Sequence, residues 1–302
     1  MTQASGSPLA NWSMWLGLIF LWGTSFMFVS ISLESFSPVG VVAMRVSLGS
    51  VVLGIVLWVK CLTLPRDLKS WSMFLLFGLL GNLLPFSFIS FGQQSVSSGV
   101  AGLLMASMPL FTMVLAHFLV PNERLNTYKL IGFCLGILGV LIIMYPSIQG
   151  ADNTFFGIVL ILMASISYAV NSVIVRVLPQ FNPIVAGVGM LFTGSLIIVP
   201  IWLYKDMPWQ QDYSQSAVLA TIWLGVGPTG IATLLYFAVI RNAGPTFLSN
   251  INYVIPVVAY FAGALVLHEM IEWQSLAALA LILLGIGLAR KVPDKKMRPM
   301  SG

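Results

Sequence analysis

Polar side chains are scarce inside the apolar runs of this sequence, so the few placed there mark where recognition chemistry must be sought. Trp22, Gly23, Thr24 and Ser25 stand together in one run. The glycine admits a second backbone, the indole can stack on a ligand, and the hydroxyls can donate or accept. Asn82 and Pro85 share another run. The proline leaves a carbonyl one turn back without its donor, and the amide is strongly polar for such a depth; together they suggest a kink facing a cavity. Met105, Ser107, Met108 and Pro109 follow, and methionine adapts to varied ligand shapes. Ser167, Tyr168 and Asn171 form a patch that mirrors the one at Trp22. Pro228, Thr229, Thr233 and Tyr236 form another, and Asn250, Asn252 and Tyr253 a third. Asn250 and Tyr253, three apart, share a helix face. The candidate substrate contacts are thus Trp22, Ser25, Asn82, Met105, Tyr168, Asn171, Thr233, Tyr236, Asn250 and Tyr253. The candidate hinges are Gly23, Pro85, Pro109, Pro228 and Pro256. Each position also has a plainer reading, because small residues and amides pack helix against helix.

The charges say more about what is excluded. Asp and Glu are absent from the middle of every apolar run, which disfavours proton coupling through a buried carboxylate. Arg45 is the cation set deepest inside a run. Snorkelling to an interface or a structural pairing is favoured for it, with carboxylate binding as the alternative. Glu123 and Glu269 end two runs and are expected to fasten a neighbouring helix or loop. His117 and His268 have no visible catalytic partner, and His268-Glu269 lacks the second histidine of a zinc motif. No phosphate-binding G-x-x-x-x-G-K-[ST] loop is present. Cys61 and Cys134 have no ligand spacing. An enzyme is disfavoured, and neither a metal nor another cofactor is expected.

These residues need elements to position them. Of the 302 residues 58% are hydrophobic and 8% are charged, a balance that no soluble core could coat. Runs of about 20 apolar residues cross a bilayer. Ten are read, all helical: 13–32, 38–59, 71–92, 97–119, 127–146, 155–178, 183–204, 216–240, 246–267 and 273–290. The first is not a signal peptide by its length and its uncharged approach. The breaks are short and carry Pro, Gly or charge, so no soluble domain is expected. With a cytoplasmic N-terminus, Lys60, Arg66, Lys69, Arg124, Lys129, Arg176, Arg241 and the basic tail fall on the cytoplasmic side and Lys205 on the other. The positive-inside rule therefore puts both termini in the cytoplasm. The net charge of +5 is topological and does not point to nucleic acid.

The sequence also repeats. Ser95–Pro109 aligns with Asn242–Pro256 at an offset of 147, and Glu123 with Glu269 at 146. Gly139 meets Gly285, Gly78 meets Gly225, and Pro38 meets Pro183. Two units follow, residues 1–147 and 148–302. Each holds five helices, an odd number, so the second enters the membrane from the opposite side. Such inverted repeats are a recurring architecture of secondary transporters, with the substrate near the midplane between them.

At these residues the chain resembles the EamA-type branch of the drug/metabolite transporter superfamily. Trp22-Gly23-Thr24-Ser25-Phe26 is similar to the family's first-helix segment and Met44-Arg45 to its apolar-arginine pair. The stretches from Pro109 to Glu123 and from Pro256 to Glu269 look like its proline-to-glutamate helix ends. Arg45 departs from the symmetry, since Met190 falls opposite it. The resemblance implies ten helices, with the fifth and tenth apart from a central cavity. It also implies export or exchange of small metabolites, often amino acids, across a bacterial inner membrane. Nucleobases or lipophilic drug-like cations are the alternative cargo. The expected partners are the small-molecule substrate and the lipid bilayer, with the protein a monomer or weak dimer. A receptor or scaffold would need something protruding, and a channel a continuous wet pore; both are disfavoured.

Overall fold

The computed structural model describes residues 7–121, 123–149, 154–179 and 181–290. The basic tail beyond Arg290 lies outside them. Eight helices are long and apolar enough to cross a membrane: α1 (Pro8–Leu33), α2 (Pro38–Val59), α3 (Leu68–Gly92), α4 (Ser98–Leu119), α5 (Thr127–Pro146), α6 (Thr154–Val177), α7 (Pro183–Gln210) and α8 (Gln215–Gly244). Two shorter apolar helices, α9 (Ile251–Val266) and α10 (Trp273–Ala289), complete ten. Capping chemistry sets many of the starts. Side-chain oxygens of Ser37, Asp67, Ser97, Asn182 and Ser214 accept backbone N–H groups of the helices that follow them. Pro8, Pro38 and Pro183 occupy first turns, where their missing N–H costs nothing.

The ninth span starts later than its expected residue 246. Gly244, at φ 85° and ψ 165°, ends α8 in a conformation that only glycine adopts freely. A helical turn runs to Leu248, and α9 begins at Ile251 after a turn at Ser249–Asn250.

Four spans are irregular inside. α1 breaks at Thr24 and α4 at Ala106–Ser107. α3 widens into a π-helical segment over Leu79–Leu83, and α8 into one over Gly225–Ile231. An offset of 147 lays the first π segment inside the second. The repeat therefore reaches down to this uncommon backbone geometry.

The strongest interhelical packing joins one half of the chain to the other: α5 with α10, α1 with α8, α2 with α7 and α3 with α6, and α4 also packs on α9. Three of these pairs join a helix to its own counterpart, and α3–α6 maps onto α8–α1. A pseudo-two-fold axis in the membrane plane produces this pattern, so the fold is an inverted-topology repeat of five plus five helices. The halves interleave instead of forming two lobes.

α5 and α10 show the same axis in detail. A Cβ on Gly132 would strike the carbonyl of Gly285, and one on Gly285 would strike that of Gly132. The symmetry-related contact places Gly139 against the carbonyl of Ala278, 2.9 Å from where its Cβ would be. Such close backbone approach is how small residues join helices in lipid, where apolar burial gives little drive. Outward faces carry exposed Val51, Ile55, Leu196 and Leu284, and exposed Trp58, Tyr204, Trp209 and Trp273 ring the helix ends, as aromatic belts do.

Candidate functional site

The two π segments are the frame of the site. In α3, Pro85 cannot donate to the carbonyl of Leu80 five residues back. Ser167 of α6 supplies the donor instead, Oγ to Leu80 O at 2.8 Å. In α8, Pro228 leaves the carbonyl of Leu224 without its α-helical donor, and Thr229 Oγ1 donates to it at 2.8 Å. The carbonyl of Pro228 accepts from Trp22 Nε1 at 3.0 Å. Each bulge is thus held by a side-chain hydroxyl, and α8 also by an indole, because an unsatisfied carbonyl in lipid would cost several kcal/mol, on the order of a lost hydrogen bond or more.

Arg45 lies between the two bulges. Its Nε donates to Thr229 Oγ1 at 3.0 Å, and its guanidinium stacks on Phe86, 3.8 Å from the ring centroid. Tyr168 of α6 packs on the apolar cluster that includes Phe86. The side chain is buried, at 6% exposure, so snorkelling is overturned. Phe86 covers one face and Thr229 takes one edge, which hold the guanidinium inside the bundle. The alternative of structural pairing is what the geometry provides, although the pair includes no acid. The lone ion pair among the described residues is Arg176–Glu123, at 2.8 Å.

Asn171 packs on the α3 bulge: a Cβ on Gly81 would come within 2.6 Å of its amide nitrogen. Its Oδ1 is buried and has no hydrogen-bond partner among the described residues. Trp22 and Tyr236 form an aromatic pair across α1 and α8, with centroids 5.7 Å apart. Thr233 donates to the carbonyl of Thr229 at 2.6 Å. Met105, Tyr168 and Tyr253 pack on one apolar cluster shared by α4, α6 and α9, and Tyr168 also touches the cluster under α2 and α3. Asn82 sits half-buried within the π segment. Two candidates are placed differently from the sequence reading. Ser25 is buried with its hydroxyl donated to the carbonyl of Trp22 at 2.7 Å, at the break of α1. Asn250 is exposed in the turn ahead of α9 and not within a span, because Gly244 delays that helix.

Of the hinge candidates, Gly23, Pro85, Pro109 and Pro228 adjoin or occupy irregular backbone. Pro256 does not. α9 runs unbroken through it, and the irregularity of that span falls at Gly244 and Ser249–Asn250. The residue that sequence reasoning passed over is Phe86, which receives the Arg45 guanidinium. A single phenylalanine among nineteen gives no signal of that role.

At one end of the bundle Glu269 bridges the halves. Its carboxylate accepts from Ser98 N at 2.7 Å and Gly99 N at 2.9 Å, the N-terminus of α4. Charge-assisted bonds and the helix dipole both favour it there. Its counterpart Glu123, at the other end, instead pairs with Arg176 at the surface. Both glutamates fasten neighbouring elements, as expected, but unequally.

A profile of the EamA-like transporter family matches residues 11–145 and again 155–290. The chain belongs to the EamA-like transporter family. It is a multi-pass membrane transporter, with one family unit in each half. It is 26% identical to the uncharacterized transporter YoaV of Bacillus subtilis, over 90% of this chain and 94% of that protein. It is 28% identical to the uncharacterized inner membrane transporter YedA of Escherichia coli, over 89% of each. A solved crystal structure shares the fold with a TM-score of 0.67 at 20% identity, covering 94% of this chain and 97% of that one.

Proposed function

We propose that this EamA-type chain is a secondary transporter that exports or exchanges small metabolites, amino acids foremost, by alternating access between its interleaved halves. The observation that carries the reading is the interleaving of two inverted halves with polar contacts buried between them, Arg45 of the first half on Thr229 of the second among these. Glu269 fastens the start of α4 to the end of α9, and Glu123 ties α6 to the end of α4 through Arg176. Exchanging the conformations of two such inverted halves would give the state open to the opposite side. The polar and aromatic cluster between the halves supports a central site. The basic loops support cytoplasmic termini, and the inner membrane of a bacterium is the proposed location.

The test is uptake of radiolabelled amino acids into liposomes holding the purified protein, with and without a pH gradient. Saturable uptake of one class is the expected result. Accumulation unchanged by the gradient would identify a facilitator or exchanger. If no amino acid moves, amino acids fall as the cargo and nucleobases and lipophilic cations form the next panel.

A further inference from the structure

One end of the bundle carries an acid that its own helix does not account for. Asp206 is the last α-helical residue of α7, ahead of Met207 in the left-handed region at φ 44°. A helix dipole opposes a negative charge at the C-terminus. The carboxylate finds a favourable field on another helix instead. Ser37 caps α2 by accepting from Gly40 N at 3.0 Å, and its own hydroxyl donates to Asp206 Oδ2. An acid from the second half thus sits at the N-terminus of a helix of the first. Glu269 does the same to α4, and it does so at the same end, since α2 and α4 enter the bundle from one side.

The turns around the Ser37–Asp206 bond are joined as well. Ser35 Oγ donates to Ser214 Oγ at 2.9 Å and accepts from Ser214 N at 3.1 Å. Phe36 stacks on Tyr213, with centroids 4.1 Å apart and planes 15° from parallel. Beneath these contacts lies a buried apolar cluster of Val29, Phe36, Val41, Ala217 and Leu224. Met44 packs on that cluster and Arg45 follows it, while Thr229, the partner of Arg45, is bonded to the carbonyl of Leu224. The order from this end inward is clasp, dry plug and central polar contact. The clasp differs in kind from the packing of the spans. Gly132 and Gly285 join backbone to backbone, which cannot part without unpacking. The clasp consists of hydroxyls, a carboxylate and a ring pair on turns at the end of the bundle, where each hydrogen bond broken is replaced by one to water. An apolar neck below it bars water until it parts.

We propose that the α1–α2 turn and the segment from Asp206 to Ser214 form the gate of this mouth. Ser37–Asp206, Ser35–Ser214 and Phe36–Tyr213 are its clasp, and the apolar cluster is its seal. By the proposed topology the mouth is the outer one, and the conformation described is closed to that side. The gate rests on the carrier reading above and names the contacts that must break before a cargo leaves. Its test works without a substrate as well as with one, so the two can fail separately.

The experiment uses the full chain with Cys61 and Cys134 replaced by serine. Ser35→Cys with Ser214→Cys places two thiols where the hydroxyls now meet, close enough to pair under an oxidant. Val41→Cys reports from the plug, where the native side chain is fully buried. A membrane-impermeant maleimide should label the Val41→Cys protein measurably, and at least about tenfold more slowly once the Ser35→Cys/Ser214→Cys pair is oxidised. Where wild type takes up a cargo, uptake should fall on oxidation of the pair and return on reduction. Asp206→Asn, which needs no crosslink and keeps the shape of the side chain, should raise the labelling rate several-fold. A turn contact held only for structure would leave the labelling of the plug unmoved. The proposal is overturned if the pair does not crosslink, if its oxidation leaves labelling or uptake unchanged, or if Asp206→Asn does not speed labelling. Labelling that follows the clasp in a protein that transports nothing would keep the gate and sink the carrier reading.

Discussion

The indole of Trp22 donates its one N–H to the carbonyl of Pro228 and lays its ring near Tyr236. Its polar atom is therefore committed to the α8 bulge, and its ring is what a ligand could meet. Trp22→Phe keeps a ring and removes the bond, worth about 1 kcal/mol. Transport is expected to fall several-fold in reconstituted liposomes with little change in melting temperature, and Trp22→Ala to abolish it. Full activity in both variants would take Trp22 out of the site. Such residues were legible in the sequence, because a polar or aromatic side chain deep in an apolar run is costly enough to stand out. Their partners were not. Nothing in the spacing links residue 22 to 228, or Arg45 to Phe86.

Within the elements, the two π segments set the site. Each follows from a proline whose absent N–H frees carbonyls, and each is closed by side-chain donors. Ser167→Ala would leave the carbonyl of Leu80 unsatisfied. The expected loss is about 1–3 kcal/mol, seen as a lower melting temperature in detergent. Pro85→Ala restores a backbone donor and should let α3 close into regular helix. Stability is expected to hold or rise while transport drops; unchanged transport would argue against a moving bulge. The prolines could be read from the sequence, and so could the ten spans. The widening to π geometry could not, nor the delay of α9 by Gly244, since both depend on which facing helix offers a donor or room.

At the scale of the whole molecule, the interleaved halves limit how the protein can move. Every major helix pair joins the halves, so motion must run along those contacts and through the broken spans. The latch at Glu269 is the place to bias it. Glu269→Gln removes the charge that holds the N-terminus of α4. On a background where the exposed Cys61 and Cys134 are serine, a reporter cysteine at Ser97 should then react faster with a membrane-impermeant maleimide. An unchanged rate would mean that the carboxylate is not a latch. The α5–α10 pair has a different duty. Gly285→Leu would force apart two backbones in contact, and overpacking of this kind costs about 1–3 kcal/mol. The expected outcome is a lower melting temperature, with the remaining folded protein still transporting.

The sequence by itself determined the solvent, the number of crossings and the repeat. Apolar length, odd helix count and recurring glycine, proline and glutamate positions are properties of the chain in order, and each has one physical reading in lipid. It also singled out the polar and aromatic residues deep in the spans as candidates. The tertiary structure decided what faces what. Arg45 is buried and not snorkelled because Phe86 and Thr229, from two other helices, receive it. Glu269 accepts from the N-terminus of α4 and Glu123 forms a surface ion pair, although the repeat aligns the two. Which partner each residue meets is a matter of packing across the chain, to which local spacing gives no access.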